Sequence, residues 1–163
     1  MFIVFDLDGT MCDGSHKNHL LEHPGPDGVW PDQDWQPWIE ACEFDLPIAP
    51  IVAVAEAMIA AGHRVEFWTG RGEHCRAPTE RWMKLNGFAT IPLIMRPMDK
   101  ESALAPDPIV KARFLLGGVP DLIFEDKPSV VAMWRELGIP VAAVQNGNPN
   151  AAERRATRTE KAA

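Results

Sequence analysis

Cysteine is scarce in this chain, and basic charge is outnumbered by acidic. Cys12, Cys42 and Cys75 are its only three cysteines and have no CxxC spacing. Neither a disulfide framework nor a structural zinc site is expected, and free thiols suit a reducing cytoplasm. Lys and Arg number 16 against 23 Asp and Glu, a formal net charge of -7. That excludes a broad basic surface for tracking along an extended duplex and favours a small anionic substrate or a chain end as partner. Long apolar runs are missing too: residues 48–62 are too short to span a bilayer and are interrupted by Pro50 and Glu56, so no membrane partner is expected. The run Phe2-Ile3-Val4-Phe5 stops at Asp6 without a basic leader, and no signal peptide is expected there. There is no Walker-type glycine loop and no internal repeat, so an attached kinase activity finds no support in these residues. Nothing in the sequence specifies an oligomeric state.

What is present is an ordinary globular composition, 46% hydrophobic and 24% charged over 163 residues, enough for one full core. From residue 48 onward strand and helix patterns alternate. Helices are expected over 50–61, 79–86, a stretch opened by Asp107 as N-cap with Pro108 at the first helical position, and 128–137. Strands are expected over 2–5, 64–68, 91–95, 121–124 and 140–144. This rhythm predicts an α/β fold, a doubly wound parallel sheet covered on both faces, with its ligand site at the carboxyl ends of the strands. A single domain over 1–147 follows. Residues 11–47, rich in Pro, Gly, Asp, His and Trp, are too long for a plain loop and are read as a cap inserted after the first strand. Residues 148–163 are small and polar and are read as a disordered tail.

The first strand runs into Asp6-Leu7-Asp8-Gly9-Thr10. A carboxylate attacking phosphorus needs a cation to screen two anions from each other, and a second acid two residues on can handle the leaving-group proton. Alternation would carry Asp6 and Asp8 to the same side, with Gly9 turning the backbone away. A solvated Asp-Gly turn is the plain structural alternative. The other strand ends add Thr69-Gly70-Arg71, then Arg96, Asp99 and Lys100 before a helix holding Lys111, and finally Glu125-Asp126-Lys127. One sheet edge thus collects carboxylates, a hydroxyl and cations.

In this order the motifs resemble those of the haloacid dehalogenase-like (HAD) superfamily of phosphohydrolases, over residues 2 to about 145. Trp68-Thr69-Gly70-Arg71, the Asp107 to Lys111 stretch and the Phe124 to Leu137 stretch further resemble the phosphatase domain of phage polynucleotide kinases. The resemblance implies a mechanism. Asp6 attacks the phosphoryl group, giving an aspartyl-phosphate; Asp8 protonates the leaving alkoxide and then activates water. Thr69 and the neighbouring Gly70 amide hold phosphoryl oxygens, and Lys111 neutralises charge. Mg2+ lies between Asp6, the Asp8 carbonyl and Asp126, with Glu125 either a direct ligand or an outer acid; an all-oxygen site suits Mg2+ better than zinc. Lys111 is preferred to its rival Lys100. Arg71 is open between a phosphate contact and a surface salt bridge, and Arg96 and Lys100 are candidate backbone contacts. Trp35 and Trp38, with Trp30, are candidates for stacking a base or for packing the cap. Trp68, Trp82 and Trp134 belong to the core. His16, His19 and His23 lack a fourth ligand and read as a polar face.

The favoured substrate is the 3'-phosphate of a polynucleotide end. A 5'-nucleotidase (deoxynucleoside monophosphatase) or a phosphatase of small esters stays open, because the chain is acidic. A phospho-accepting signalling domain, the alternative from another class, would need a lone Asp after the third strand, where Met95-Arg96 stands, and leaves Asp8 unexplained. A binding module with a spent site is disfavoured because every expected catalytic group is present.

Overall fold

The computed structural model describes residues 1–21 and 36–145. The expectations for the tail and for Trp30 and Trp35 lie outside these residues. Among them no helix is long and apolar enough to cross a membrane. In chain order the elements are β1 (Phe2–Phe5), β2 (Cys12–Asp13), α1 (Gln36–Glu40), β3 (Leu46–Pro47), α2 (Ala49–Ala60), β4 (Arg64–Gly72), α3 (Arg76–Leu85), β5 (Leu93–Arg96), α4 (Asp107–Phe114), β6 (Leu122–Glu125), α5 (Pro128–Glu136) and β7 (Val141–Ala143). Five strands form one parallel sheet in the order β5-β4-β1-β6-β7. The expected doubly wound fold is present.

β1 is apolar throughout because it is the central strand and both its faces are covered. Ile3 and Phe5 pack with Val65 and Phe67 of β4 and with Ala55, Trp82 and Met83 from α2 and α3. Phe2 and Val4 face the other way, onto Trp68, Ile123, Val110, Phe114, Val130 and Trp134. The two cores explain where the later helices sit, and all three tryptophans expected inside are buried. Trp68 is the hub of the second core, edge-on to Phe2 and Phe114 and tilted against Trp134 at 6.2 Å.

Three departures from the sequence reading bear on the site. β4 runs on to Gly72, so Thr69, Gly70 and Arg71 lie within a strand that has a register irregularity against β5, not in a loop after it. The strand at β6 begins at Leu122; Asp121 before it is tied to β1 by its N–H donating to Phe2 O at 2.8 Å and its carboxylate accepting the Phe2 N–H at 2.7 Å. Asp107 is not a cap: Pro106 occupies the N-cap position, Asp107 is the first helical residue, and its carboxylate is drawn to Arg96 and Lys127. Two strong cations outcompete the free N–H groups of the helix start.

The described residues of segment 11–47 are organised by contacts of their own. β2 and β3 pair antiparallel as its stem, Met11 and Cys12 are buried in the first core, and short 3-10 turns cover Ser15–Leu20 and Ala41–Phe44. Trp68→Ala should cost about 3–5 kcal/mol and lower the melting temperature by roughly 10 °C. A calorimetric melt checks this; a shift of a degree or two would show that Trp68 is not the hub of its layer.

Candidate active site

The site is built where β1 stops. Asp6 still donates its N–H to Phe124 O at 3.0 Å, as in the ladder, but the next residues fold over Leu7, whose carbonyl accepts the N–H groups of Thr10, Met11 and Cys12. Strand alternation therefore ends before Asp8 and does not decide which way its carboxylate faces. Asp6 and Asp8 are each held by a cation of their own. Gly9 makes the turn possible: its φ is +81°, and a Cβ there would lie 2.1 Å from Asp126 Oδ2. The missing side chain lets the β1 turn and the β6 corner close on each other.

Asp6 is gripped by Lys111. The Nζ of this buried lysine donates to Asp6 Oδ1 at 2.7 Å and to Glu125 Oε2 at 2.6 Å. It gets there because Val110 and Phe114 anchor α4 in the second core and turn the adjoining stripe of the helix toward the strand ends. Lys100, the rival, is exposed. Asp6, Glu125 and Asp126 each offer a carboxylate oxygen within 4.8 Å of the others. Burial pushes the Asp6 carboxyl well up, and the neighbouring Glu125 charge adds to it against the pull of Lys111. Burial and the Glu125 charge likewise push Asp126 up to about 7. The Lys111 ammonium is itself opposed by burial, but Asp6 and Glu125 outweigh that and raise it. One ammonium does not balance two buried carboxylates and a half-buried one, so this corner has a cation deficit. The donor set is all oxygen, which fits Mg2+.

Asp8 is gripped by Arg71. The guanidinium forms a fork, Nε to Asp8 Oδ2 at 2.8 Å and Nη2 to Asp8 Oδ1 at 2.7 Å. Burial would raise the Asp8 carboxyl, but the Arg71 charge and hydrogen bonds outweigh it and hold the acid below its ordinary range. The surface salt bridge expected as one option for Arg71 is corrected: its side chain is 1% exposed, and four of its five N–H groups donate to Asp8, Asp45 and Thr79. Arg96 is corrected similarly. Its donors go to Gly70 O, Ser102 O, Ala105 O and Asp107, which makes it a scaffold brace and not a contact to a polynucleotide's phosphodiester backbone. Trp38 packs inside the inserted segment, with Lys17 Nζ 3.9 Å over its ring and its Nε1 donating to Asn18 Oδ1, which matches the packing alternative. The Thr69 hydroxyl is buried and accepts the Arg71 N–H at 3.1 Å, and Gly70 lies against Asp107.

Sequence reasoning missed Lys17 and Asp45 and misread Asp107. Lys127 is half exposed beside Asp126 and pairs with Asp107. The spacing of Asp107 and Lys111 on one helix face was a usable signal for Asp107. For Lys17 and Asp45 no local signal existed, because Asp45 is 28 positions from Lys17 and 26 from Arg71.

A parallel sheet with this constellation at its carboxyl edge defines a phosphatase of the HAD superfamily. More narrowly, residues 34–148, over two thirds of the chain, match the phosphatase domain of the polynucleotide kinase PNKP, and the chain belongs to that family. The match takes in Thr69, Arg71, Lys111, Glu125 and Asp126 and begins after Asp6 and Asp8. Among solved structures, a chain of the Pnkp1/Rnl/Hen1 RNA repair complex is 24% identical, with a TM-score of 0.68 over 90% of this chain and 42% of that one. The protein thus spans less than half the length of that relative. A class C acid phosphatase from Bacillus anthracis, solved with tungstate bound, is 15% identical with a TM-score of 0.61, covering 89% of this chain and 66% of its own. A predicted HAD-like family hydrolase from Porphyromonas gingivalis is 16% identical with a TM-score of 0.55, covering 96% and 97%. At these identities the three structures share its fold.

The cation deficit makes a pH prediction. A carboxyl whose folded value is raised holds a proton that the unfolded chain gives up. Its stabilisation is complete below the unfolded value near 4 and is lost as pH rises through about 7, the value for Asp126. A bound divalent ion would replace that proton. The gain in melting temperature from Mg2+ over EDTA should therefore be larger at about pH 8 than at about pH 5.5. Melts in both buffers check it, and an equal gain at the two pH values would remove the metal from this corner.

Proposed function

We propose that this phosphatase is a Mg2+-dependent phosphomonoesterase that works through an aspartyl-phosphate on Asp6 and removes the 3'-phosphate from a polynucleotide end. The observation that carries the reading is Lys111 bridging Asp6 and Glu125 beside Asp126, in a chain of the PNKP phosphatase family. Asp6 is the nucleophile: an Asp6 oxygen attacks phosphorus in line as the bond to the leaving oxygen breaks. Lys111 offsets the charge that accumulates on the transferring group. Asp6, Asp126 and Glu125 would hold Mg2+, which supplies the charge neutralisation that an anionic nucleophile and an anionic substrate require.

Asp8 gives its proton to the leaving alkoxide, then takes one from the water that attacks phosphorus and breaks the Asp6–phosphate bond. In the free protein Asp8 is kept ionised by Arg71, the state that suits the second step. The approach of the phosphate dianion adds negative charge beside it and favours the protonated form needed for the first. Thr69 and the Gly70 amide lie at the end of β4, in reach of phosphoryl oxygens. The inserted segment 11–47 acts as a cap that limits which esters enter.

For the substrate, the family match favours a nucleic-acid end. The exposed Lys100 is a cation suited to a neighbouring phosphodiester, and the half-exposed Lys127, paired with Asp107, adds positive charge beside Asp126. Two measurements test the reading. Asp6→Asn should stay folded and lose activity by at least about 10³-fold; normal turnover by the purified variant would sink the mechanism. A 3'-phosphorylated oligonucleotide should show higher kcat/KM than a nucleoside 3'-monophosphate, with the gap narrowing as salt rises, because each neutralised phosphate adds binding that salt weakens. Preference for 5'-mononucleotides, with oligonucleotides untouched, would replace it with the 5'-nucleotidase alternative.

A further inference from the structure

The fork from Arg71 to Asp8 is one end of a longer buried chain of charge. Arg71 Nη2, the same nitrogen that holds Asp8 Oδ1, also donates to Asp45 Oδ2 at 3.0 Å. Asp45 in turn takes Lys17 Nζ at 2.7 Å on Oδ1 and 2.8 Å on Oδ2. The side chains of Lys17, Asp45 and Arg71 are 1%, 0% and 1% exposed. Arg71 Nη1 reaches Thr79 Oγ1 at 3.3 Å, and the Asp45 carbonyl accepts Trp82 Nε1 at 2.8 Å, so the chain is fixed on its far side by α3. Two positive and two negative groups make the set neutral. Lys17 and Asp45 come from opposite ends of the inserted segment, on either side of residues 22–35, while Arg71 and Asp8 belong to the sheet edge.

Fastening the segment to the domain does not call for such groups. Apolar contacts of similar volume serve a packing role at least as well, because buried ions forfeit their hydration. What a fixed line of charges can do is set direction. We propose that Lys17 and Asp45 are positioning residues for Asp8, acting through the shared Arg71 nitrogen, so that the seating of the inserted segment sets the aim of the acid/base. When Asp45 is held by Lys17, Nη2 stays in line with both carboxylates; when it shifts, the Asp8 end of the fork shifts with it. This rests on the reading of Asp8 as the acid that protonates the leaving group.

The test compares esters by leaving group. An alkyl phosphate, such as the 3'-phosphorylated oligonucleotide, expels an alkoxide that needs the Asp8 proton, whereas p-nitrophenyl phosphate expels a stable phenolate that does not. Since kcat/KM covers only the steps through transfer to Asp6, it isolates this requirement. The charge-balanced variant Lys17→Met/Asp45→Asn should lose about ten-fold in kcat/KM for the alkyl ester and several-fold less for the aryl ester. Lys17→Arg, which keeps the charge, should restore the ratio. Asp8→Asn should shift the same ratio further. Should Asp8→Asn shift it while the double variant loses both esters equally, Lys17 and Asp45 merely hold the fold and the proposal is overturned. Should Asp8→Asn leave the ratio unmoved, the acid role of Asp8 fails and the proposal falls with it. If the double variant does not melt cooperatively, Asp45→Glu, longer by one methylene with its charge intact, carries the test: the ratio should move in the same direction, and an unmoved ratio overturns the proposal.

Discussion

Four carboxylates, Asp6, Asp8, Glu125 and Asp126, crowd the carboxyl edge of the sheet, and two buried cations divide them. Lys111 comes from α4 in the layer that packs on Val4 and Trp68, and takes Asp6 and Glu125. Arg71 comes from β4 and points among the groups of the other layer, where it takes Asp8 and also touches Thr79 of α3. The acid pair of one pentapeptide is thus held by two cations that come from different elements. This division gives two chemically similar side chains opposite acidities, Asp6 raised by burial and by its acidic neighbours, Asp8 lowered by the guanidinium. In the protein alone these shifts run against a nucleophile that must be ionised and an acid that must be protonated; a bound cation would lower Asp6 and the substrate dianion would raise Asp8, reversing the order.

Holding this edge together constrains much of the surrounding structure. Arg96 ties Gly70 of β4 to Ser102, Ala105 and Asp107, so the strand end and the start of α4 move as one piece. Gly9 lets the first turn lie against Asp126. Aromatic packing around Trp68 fixes α4 and with it Lys111. The buried ion pairs themselves are costly to desolvate and are weak grounds for stability. Stability comes from the two apolar layers, while the pairs specify which way each functional group faces.

In this light the inserted segment has two relations to the domain. Its stem, β2 and β3, joins through Met11 and Cys12, which are ordinary core residues. Beyond the stem, Lys17 and Asp45 enter the charged edge instead of the core. A segment proposed to admit substrate is thereby in electrostatic contact with the acid proposed to act on it.

Much of this was legible in the sequence. Hydrophobic alternation and proline starts depend on local geometry, so the parallel α/β fold and the order of the motifs could be read without coordinates, whereas the central place of β1 came from the tertiary structure. The grouping of Asp6, Lys111, Glu125 and Asp126 followed from those motifs lying at strand ends of one sheet. Other features depended on competition between partners distant in the chain. Asp107 has the right residue type for a cap, yet two cations draw it away. Arg71 and Arg96 look like free cations until burial and acceptors from other elements claim them. Lys17 and Asp45 carry no local signal at all, because a buried charge is defined by what balances it, and only the folded chain brings the balancing group within 3 Å.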